Sequence, residues 1–170
     1  SLPLGTVVKK FDANVTVAKE HLEQMTLLAL RLGQLESAKD LLAPILRAMI
    51  RAIGARRVWV GIRSEDRGPF EWSLGVNEHG QPCDRPAFSE IMQQKCVTGT
   101  QYLFCPETPA PGLRSAMAVP LICQSGTLGM LYVENDVADA PFDELAFDAF
   151  CALACCVAMP VETILRKSLA

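Results

Sequence analysis

The chain has 170 residues, half of them hydrophobic, and a formal net charge of −3. This length fits one domain with a sizeable core, and the composition excludes a disordered segment. The slightly acidic balance argues against a nucleic-acid partner, because contacts with a phosphate backbone need a basic face. We identify no apolar run of the roughly 20 residues that a membrane span needs, and no signal peptide at the start.

Two helices are predicted in the first third, after an extended lead-in over residues 1–12. Asn14 is a good N-cap for the first helix, and Gly33 is a plausible stop. Its apolar residues follow 3–4 spacing, which is typical of a helix that packs on another helix. They are Val15, Ala18, Leu22, Met25, Ala29 and Leu32. The second helix is predicted from Ser37 to about Ile53, and Pro44 either lies in a displaced first turn or kinks it.

Five strands with one inserted short helix are predicted in the middle of the chain. The helix follows Ser89 and ends near Gly99. Neighbouring strands are joined by short turns, so the sheet is expected to be mostly antiparallel. The predicted strands begin at Arg57, Phe70, Gln101, Ser115 and Thr127.

A long final helix is predicted from about Asp143. Its apolar positions again follow 3–4 spacing, and Pro160 is expected to kink or break it. They are Phe147, Phe150, Ala154, Val157, Val161 and Ile164. The element order predicts an α+β fold without a separate second domain.

Strand alternation predicts two unlike faces for the sheet. One is uniformly apolar, as expected under helices, and carries Val58, Val60, Ile62, Met117, Val119, Leu121, Leu131 and Val133. The other mixes small, aromatic and ionisable residues, namely Trp59, Gly61, Arg63, Ala116, Ala118, Pro120, Met130, Tyr132 and Glu134. Such a mixture suits a small-molecule cavity. A solvent-exposed or loop-covered face without a ligand explains it equally well.

Seven cysteines, an odd number without a CxxC pair, predict free thiols in a reducing compartment and hence a cytoplasmic protein. Redox sensing, thiol catalysis and a metal site are the alternatives. Cys151 and Cys155 lie one turn apart, and a dimer could bring four thiols together. The small residues around them and the ligand count favour packing residues, so no metal is expected. Cys105 is expected to be the first target for a thiol reagent.

Three stretches in the second half of the chain form a recognisable signature: Ser115 to Leu121, Gly126 to Asn135, and Phe142, Asp143 and Glu144 at the start of the last helix. With this signature the chain resembles the GAF domain family. The resemblance covers about residues 35–166. It implies an α+β, PAS/GAF-like fold, in which a central antiparallel sheet has N- and C-terminal helices on one face and a ligand pocket on the other.

The resemblance also implies a regulatory or sensory module in a multidomain, bacterial-type signalling protein. Residues 1–34 would form a lead-in and a dimerising helix, and residues 167–170 a tail toward a following domain. The homodimer would use the first helix together with Phe150, Ala154 and Val157. An unidentified small molecule would bind at Trp59, Arg63, Ala116, Ala118, Tyr132 and Glu134. No cofactor, nucleic acid or membrane partner is expected.

Three more specific members of the family fit less well. Cyclic-nucleotide binders have a lysine where this chain has Asp136, and bilin binders often have a Cys-His pair, which is missing here. Free methionine sulfoxide reductases need a cysteine at about Pro109 and carboxylates at Ala116 and Tyr132. No catalytic residue is therefore expected. A ligand-free dimerisation module is the leading alternative, and the reductase is the second.

Overall fold

The computed structural model describes residues 2–10, 38–63, 69–123 and 126–168. These parts of the chain form three α-helices and six strands. The elements are β1 (Val7–Lys10), α1 (Ala38–Ile53), β2 (Arg57–Ile62), β3 (Trp72–Asn77), α2 (Glu90–Gln93), β4 (Gln101–Cys105), β5 (Leu113–Cys123), β6 (Gly126–Asp136) and α3 (Glu144–Ser168). The predicted seam from Val15 to Leu32 lies outside the described residues.

The six strands form one sheet in the order β1-β4-β5-β6-β2-β3, and each neighbouring pair is antiparallel. The predicted α+β fold is thereby confirmed. The lead-in was predicted only as an extended segment. In the structure, its residues Val7 to Lys10 pair with β4 and form a sixth strand at the sheet edge. This pairing joins residues about 95 positions apart, a separation at which local patterns give no signal.

Helices α1 and α3 cover the apolar face of the sheet, as predicted. All eight residues assigned to that face lie in one buried cluster with the helices. Pro44 lies inside α1, exposed to solvent, in a helix that runs to Ile53. Gly54 then adopts a positive φ of 75° and donates its N–H to Ile50 O, which ends the helix.

Helix α3 excludes one of the two outcomes predicted at Pro160 and corrects the predicted dimer face. It continues through Pro160 as one helix to Ser168, so the helix does not break there. Phe150, Ala154 and Val157 are at most 1% exposed and pack in the core of their own chain. The structure therefore assigns them to this core, in place of the predicted contact with a second copy.

The stretch Glu144–Thr163 of α3 is long and apolar enough to cross a membrane, judged by length and composition alone. Single charged residues, Asp148 and Glu162, interrupt this stretch, so the sequence shows no uninterrupted apolar run of that length. Half of its most apolar window (50%) is buried within the fold, a property shared by core helices of soluble proteins.

A buried polar network, here called the polar staple, ties β5 and β6 to the start of α3. Asn135 Oδ1 accepts hydrogen bonds from Ser115 N and Oγ at 2.9 and 2.8 Å, and Asn135 Nδ2 donates to Ala140 O at 2.7 Å. Ser115 Oγ in turn accepts from Phe142 N at 2.9 Å. The Ser, Asn and Phe of the sequence signature therefore have a structural role here.

The loop after β6 is held to the β2–β3 end of the sheet by Arg56. Its guanidinium donates to both Asp139 oxygens and to Glu78. Asp139 Oδ2 also accepts from Asp136 N at 2.8 Å. The hydrogen bond from Arg56, followed by that backbone N–H, lowers the pKa of Asp139 to about 2.

This lowered pKa predicts a window of acid sensitivity. The folded state favours the Asp139 carboxylate, so the stabilisation is present above the ordinary value of 3.8 and is lost as the pH falls toward about 2. We expect Asp139→Asn to flatten the fall in melting temperature between pH 4 and 2, and Arg56→Gln to flatten it likewise. Thermal melts of the three proteins across that range test this. If melting temperature falls with pH as steeply in both variants as in the wild type, the Arg56–Asp139 ion pair does not cause the acid sensitivity.

Candidate functional site

The second face of the sheet, here called the site face, brings most of the predicted ligand-binding residues together. Trp59 pairs with Tyr132, which pairs on its other side with Ala118, and Glu134 pairs with Ala116. Arg63 follows the end of β2, and its backbone N–H donates to Leu128 O. All six predicted residues are buried: Trp59, Arg63, Ala116, Ala118, Tyr132 and Glu134.

The site face is covered by side chains from the middle of the chain. Phe88 contacts both Trp59 and Tyr132, with ring centroids 5.3 and 5.4 Å apart, and Phe70 meets Trp59 edge-on at 5.3 Å. Around these rings, residues of the site face and of the segment above it pack in a second buried hydrophobic cluster. Its members are Trp59, Met92, Cys96, Val97, Leu103, Cys105, Ala116, Ala118, Met130 and Tyr132. The space predicted above the alanines is therefore occupied by the chain itself.

Gly61 makes room for this ring packing. A Cβ built there would lie 2.2 Å from the six-membered ring of Trp59 and 2.9 Å from Phe70. Only glycine lets both rings lie against β2. Gly61 thus leaves space on the site face for aromatic side chains of the same chain.

Short helical elements support this cover. Ser89 caps α2, accepting from Met92 N at 3.1 Å, as predicted. The helix continues as a π-helical turn over Gln94–Thr98, which carries the buried residues Cys96 and Val97. The cover thus consists of a loop and short turns, in contrast to the two long helices on the opposite face.

An ion pair that the sequence analysis missed lies at one end of the site face. Arg57 Nε donates to Glu134 Oε1 at 2.6 Å, and its Nη2 donates to Asp136. Burial disfavours the charge on Arg57, but hydrogen bonds to the two carboxylates outweigh it and raise the pKa of the guanidinium. Extending the alternation from Trp59 back by two residues would have placed Arg57 on this face.

Tyr132 connects the ion pair to the aromatic residues. Burial, and after it the charge of Glu134, raises the pKa of the Tyr132 phenol. The phenol therefore stays neutral and can act as a hydrogen-bond donor across the physiological range. The site face consequently offers a carboxylate, a phenol and a guanidinium within a largely apolar surround.

Arg85 forms the outermost part of the cover. Its Cζ lies 4.7 Å from the ring centroid of Phe88, 5.7 Å from that of Phe70 and 5.8 Å from that of Trp59. Its Nη2 also donates to Gln93 Oε1 at 2.9 Å. Arg85 and Phe88 come from an irregular segment, so no periodic pattern in the sequence pointed to them. Phe70 was predicted as the first residue of a strand, which in the structure begins two residues later, at Trp72.

A cleft of about 580 Å³ lies elsewhere in the molecule. Its lining comes from the end of β5 and the C-terminal half of α3, with Ile122, Cys123, Cys155, Ala158, Met159, Glu162 and Thr163. Cys155 and Met159 are exposed one turn apart on α3, at 68% for Met159. The exposed side of α3 around Met159 therefore differs from the predicted dimer contact, which was Phe150, Ala154 and Val157.

The thiols on the site-face side are poor nucleophiles. Burial raises the pKa of Cys96, Cys105 and Cys83, so the reactive thiolate is disfavoured in each. Cys105 is 1% exposed, which contradicts the expectation that it reacts first. Cys155 is the exposed cysteine among those that the structure describes.

We expect a maleimide reagent to modify Cys155 in the folded protein and to leave Cys96 and Cys105 intact until the chain unfolds. Peptide mapping by mass spectrometry after short exposure measures this, and Cys155→Ser should remove the fast reaction. Rapid modification of Cys105 in the folded state would show that the site face opens to solvent.

Comparison with known proteins identifies a family for most of the chain. A family model described as GAF domain matches residues 37–162. No curated protein sequence matches the chain.

Solved structures share the fold at low sequence identity. The GAF domain of a phosphoenolpyruvate-protein phosphotransferase from Coxiella burnetii is 14% identical, with a TM-score of 0.60, over 88% of this chain and 97% of that one. The corresponding Acinetobacter domain is 13% identical, with a TM-score of 0.58, over 86% and 95%. The free methionine-R-sulfoxide reductase from Neisseria meningitidis is 15% identical, with a TM-score of 0.57, over 92% and 98%. At such identities these likenesses show the fold alone.

Proposed function

This chain belongs to the GAF domain family, whose members are sensory and regulatory modules, and from that premise we propose that it regulates a multidomain signalling protein. It acts in the cytoplasm as a homodimer, and a small molecule binds at the site face. The observation that carries this proposal is the ionic and phenolic set of buried Glu134 and Tyr132 with partly buried Arg57. Burying such groups is costly, and an apolar set of similar volume would pack at least as well. Their presence beneath a cover of loops and short turns supports a binding role.

The fold offers a short route from the site face to α3. Glu134 points to the site face, and the next residue, Asn135, is the centre of the polar staple. A ligand that shifts Glu134 therefore displaces Asn135, and with it the contacts to Ala140 and Phe142 at the start of α3. Two packings of this staple would give the two states that a ligand biases.

The ligand is tested on full-length protein purified from its own cells. We expect denaturation to release a small molecule detectable by mass spectrometry, at one per chain or less. Phe88→Ala, which removes part of the cover, should purify with much less of it, whereas Val137→Ala, at an exposed valine, should retain it. Protein that is free of ligand in all three preparations would contradict the binding role.

A homodimer is proposed to use the exposed stripe of α3 around Met159, together with residues 15–32. Met159 is 68% exposed, although it is a large apolar side chain. We expect Met159→Glu to shift sedimentation from dimer to monomer, because a carboxylate would be desolvated at the contact. Leu145→Glu, at a 78% exposed leucine near the other end of α3, should remain dimeric. A monomeric wild-type protein would refute the homodimer.

A ligand-free dimerisation module is the second candidate function. The observation that favours it is the close packing of Trp59, Phe88, Tyr132 and their neighbours over the described part of the site face. On this alternative the ion pair has only a structural role. A dimer that purifies without a bound small molecule would support it.

We also propose that the chain is not an enzyme. In support, the thiol closest to the reductase pattern, Cys105, is buried with a raised pKa and contacts Thr6 Oγ1 at 3.5 Å. An assay with free methionine sulfoxide and a thiol reductant should show no turnover above a Cys105→Ser control.

A further inference from the structure

Three aromatic rings on the site face surround one cation. We call this set, formed by Trp59, Phe70 and Phe88, the aromatic cage. The ring centroids of Phe70 and Phe88 each lie 5.3 Å from that of Trp59, and the guanidinium carbon of Arg85 lies within 6 Å of all three. Each ring face attracts a cation at that range, and the attraction grows where water is excluded.

The cage holds a guanidinium by two kinds of contact. The three ring centroids lie within 6 Å of its central carbon, and Gln93 Oε1 accepts one of its N–H groups at 2.9 Å. A planar cation with several donors can satisfy both contacts at once, whereas a quaternary ammonium has no N–H to give to Gln93. The geometry therefore favours a guanidinium over a quaternary ammonium.

Arg85 is held in the cage by few contacts. It is exposed, it lies in the irregular segment between β3 and α2, and its contacts are the three rings and Gln93. Trp59 beneath it is only 2% exposed. Movement of this one side chain would uncover the cage without breaking the sheet or either long helix.

We propose that the aromatic cage is a binding site for a small molecule that carries a guanidinium group, and that Arg85 is its built-in competitor. This rests on the proposed function and assigns a ligand class to the same face. In the absence of ligand, Arg85 occupies the cage and keeps the cover closed. A free guanidinium compound takes its place and releases the segment before α2.

The test uses the full chain and N-methylguanidinium as the probe, observed through its methyl proton resonance. Ring currents of the cage shift that resonance upfield on binding. We expect Arg85→Ala to bind the probe at least about tenfold more tightly than the wild type, because the internal competitor is gone. Arg114→Ala, at an exposed arginine on β5, should bind like the wild type. Equal concentrations of sodium chloride control for ionic strength.

A variant of the cage and a second cation test whether the probe binds in the aromatic cage and is recognised as a guanidinium. Adding Phe88→Leu to Arg85→Ala should abolish the gain in affinity, and circular dichroism confirms that this variant is folded. Tetramethylammonium should bind Arg85→Ala at least severalfold more weakly than N-methylguanidinium. No gain in Arg85→Ala, a gain that survives Phe88→Leu, or equal binding of both cations would each overturn the proposal.

The two proposals fail separately. The extraction of a bound small molecule detects ligands of any class, so an empty cage would leave the ligand-binding role standing. Conversely, probe binding to Arg85→Ala with no small molecule in the native protein would establish the cage and contradict the proposed physiological role.

Discussion

Asn135→Ala is expected to lower the free energy of unfolding by about 4 kcal/mol, enough to unfold a domain of ordinary stability at moderate temperature. The substitution leaves the N–H and the hydroxyl of Ser115, a residue that is 0% exposed, without the acceptor that they have in the polar staple, and the carbonyl of exposed Ala140 loses its donor. Each buried group without a hydrogen bond costs about 1–3 kcal/mol, and a small cavity adds to that. Urea unfolding followed by circular dichroism measures the loss.

Asn77 provides a matched control for this substitution. Its Oδ1 likewise accepts two hydrogen bonds, from His79 N and Gln81 N, but at the exposed turn after β3. Water can replace the lost partner there, so Asn77→Ala should cost only about 1 kcal/mol. Equal losses in the two variants would show that burial of the polar staple contributes nothing.

Arg57→Leu is expected to destabilise the fold by about 3 kcal/mol at neutral pH. The side chain of Glu134 is 8% exposed, and its Oε1 loses the hydrogen bond from Arg57 Nε. An uncompensated carboxylate in such a place is costly, although partial exposure of Arg57 reduces the effect.

Two further variants separate charge from packing at this ion pair. Arg57→Leu combined with Glu134→Leu should recover most of the lost stability, because no buried charge remains. Arg114→Leu, at an exposed arginine, should change the unfolding free energy by less than about 0.5 kcal/mol. A double variant as unstable as Arg57→Leu would show that the charges themselves are not the cause.

The sequence carried enough information for the fold and for the two faces of the sheet. Period-two alternation placed Val58 and Trp59 on opposite faces, and the Ser115, Asn135 and Phe142 signature pointed to the family. The edge strand β1 was predicted only as extended, because its partner Phe104 lies far along the chain. The apolar spacing of Phe150 and its neighbours indicated a packed helix face, but spacing alone cannot say whether the partner is the same chain or a second copy.

The site was predictable only where strands form it. Trp59, Tyr132 and Glu134 follow from alternation, as Arg57 would have done. The cover could not be predicted, because Phe88 and Arg85 lie in a segment without strand alternation and their positions depend on long-range packing. Alternation predicted a strand from Phe70, but it could not predict that this ring packs on Trp59. For this reason the small residues Ala116 and Ala118 suggested open space that the structure fills.

Amide hydrogen exchange tests the link between the site face and α3 most directly. Phe88→Ala alters only the cover of the site face. If the site face acts on α3, we expect faster amide exchange at Phe142 N–H and through the first turn of α3, with α1 as an internal reference. Val137→Ala should leave that ratio unchanged. If the change in Phe88→Ala stays within residues 78–98, the site face does not act on α3, and the proposed mechanism of regulation is contradicted.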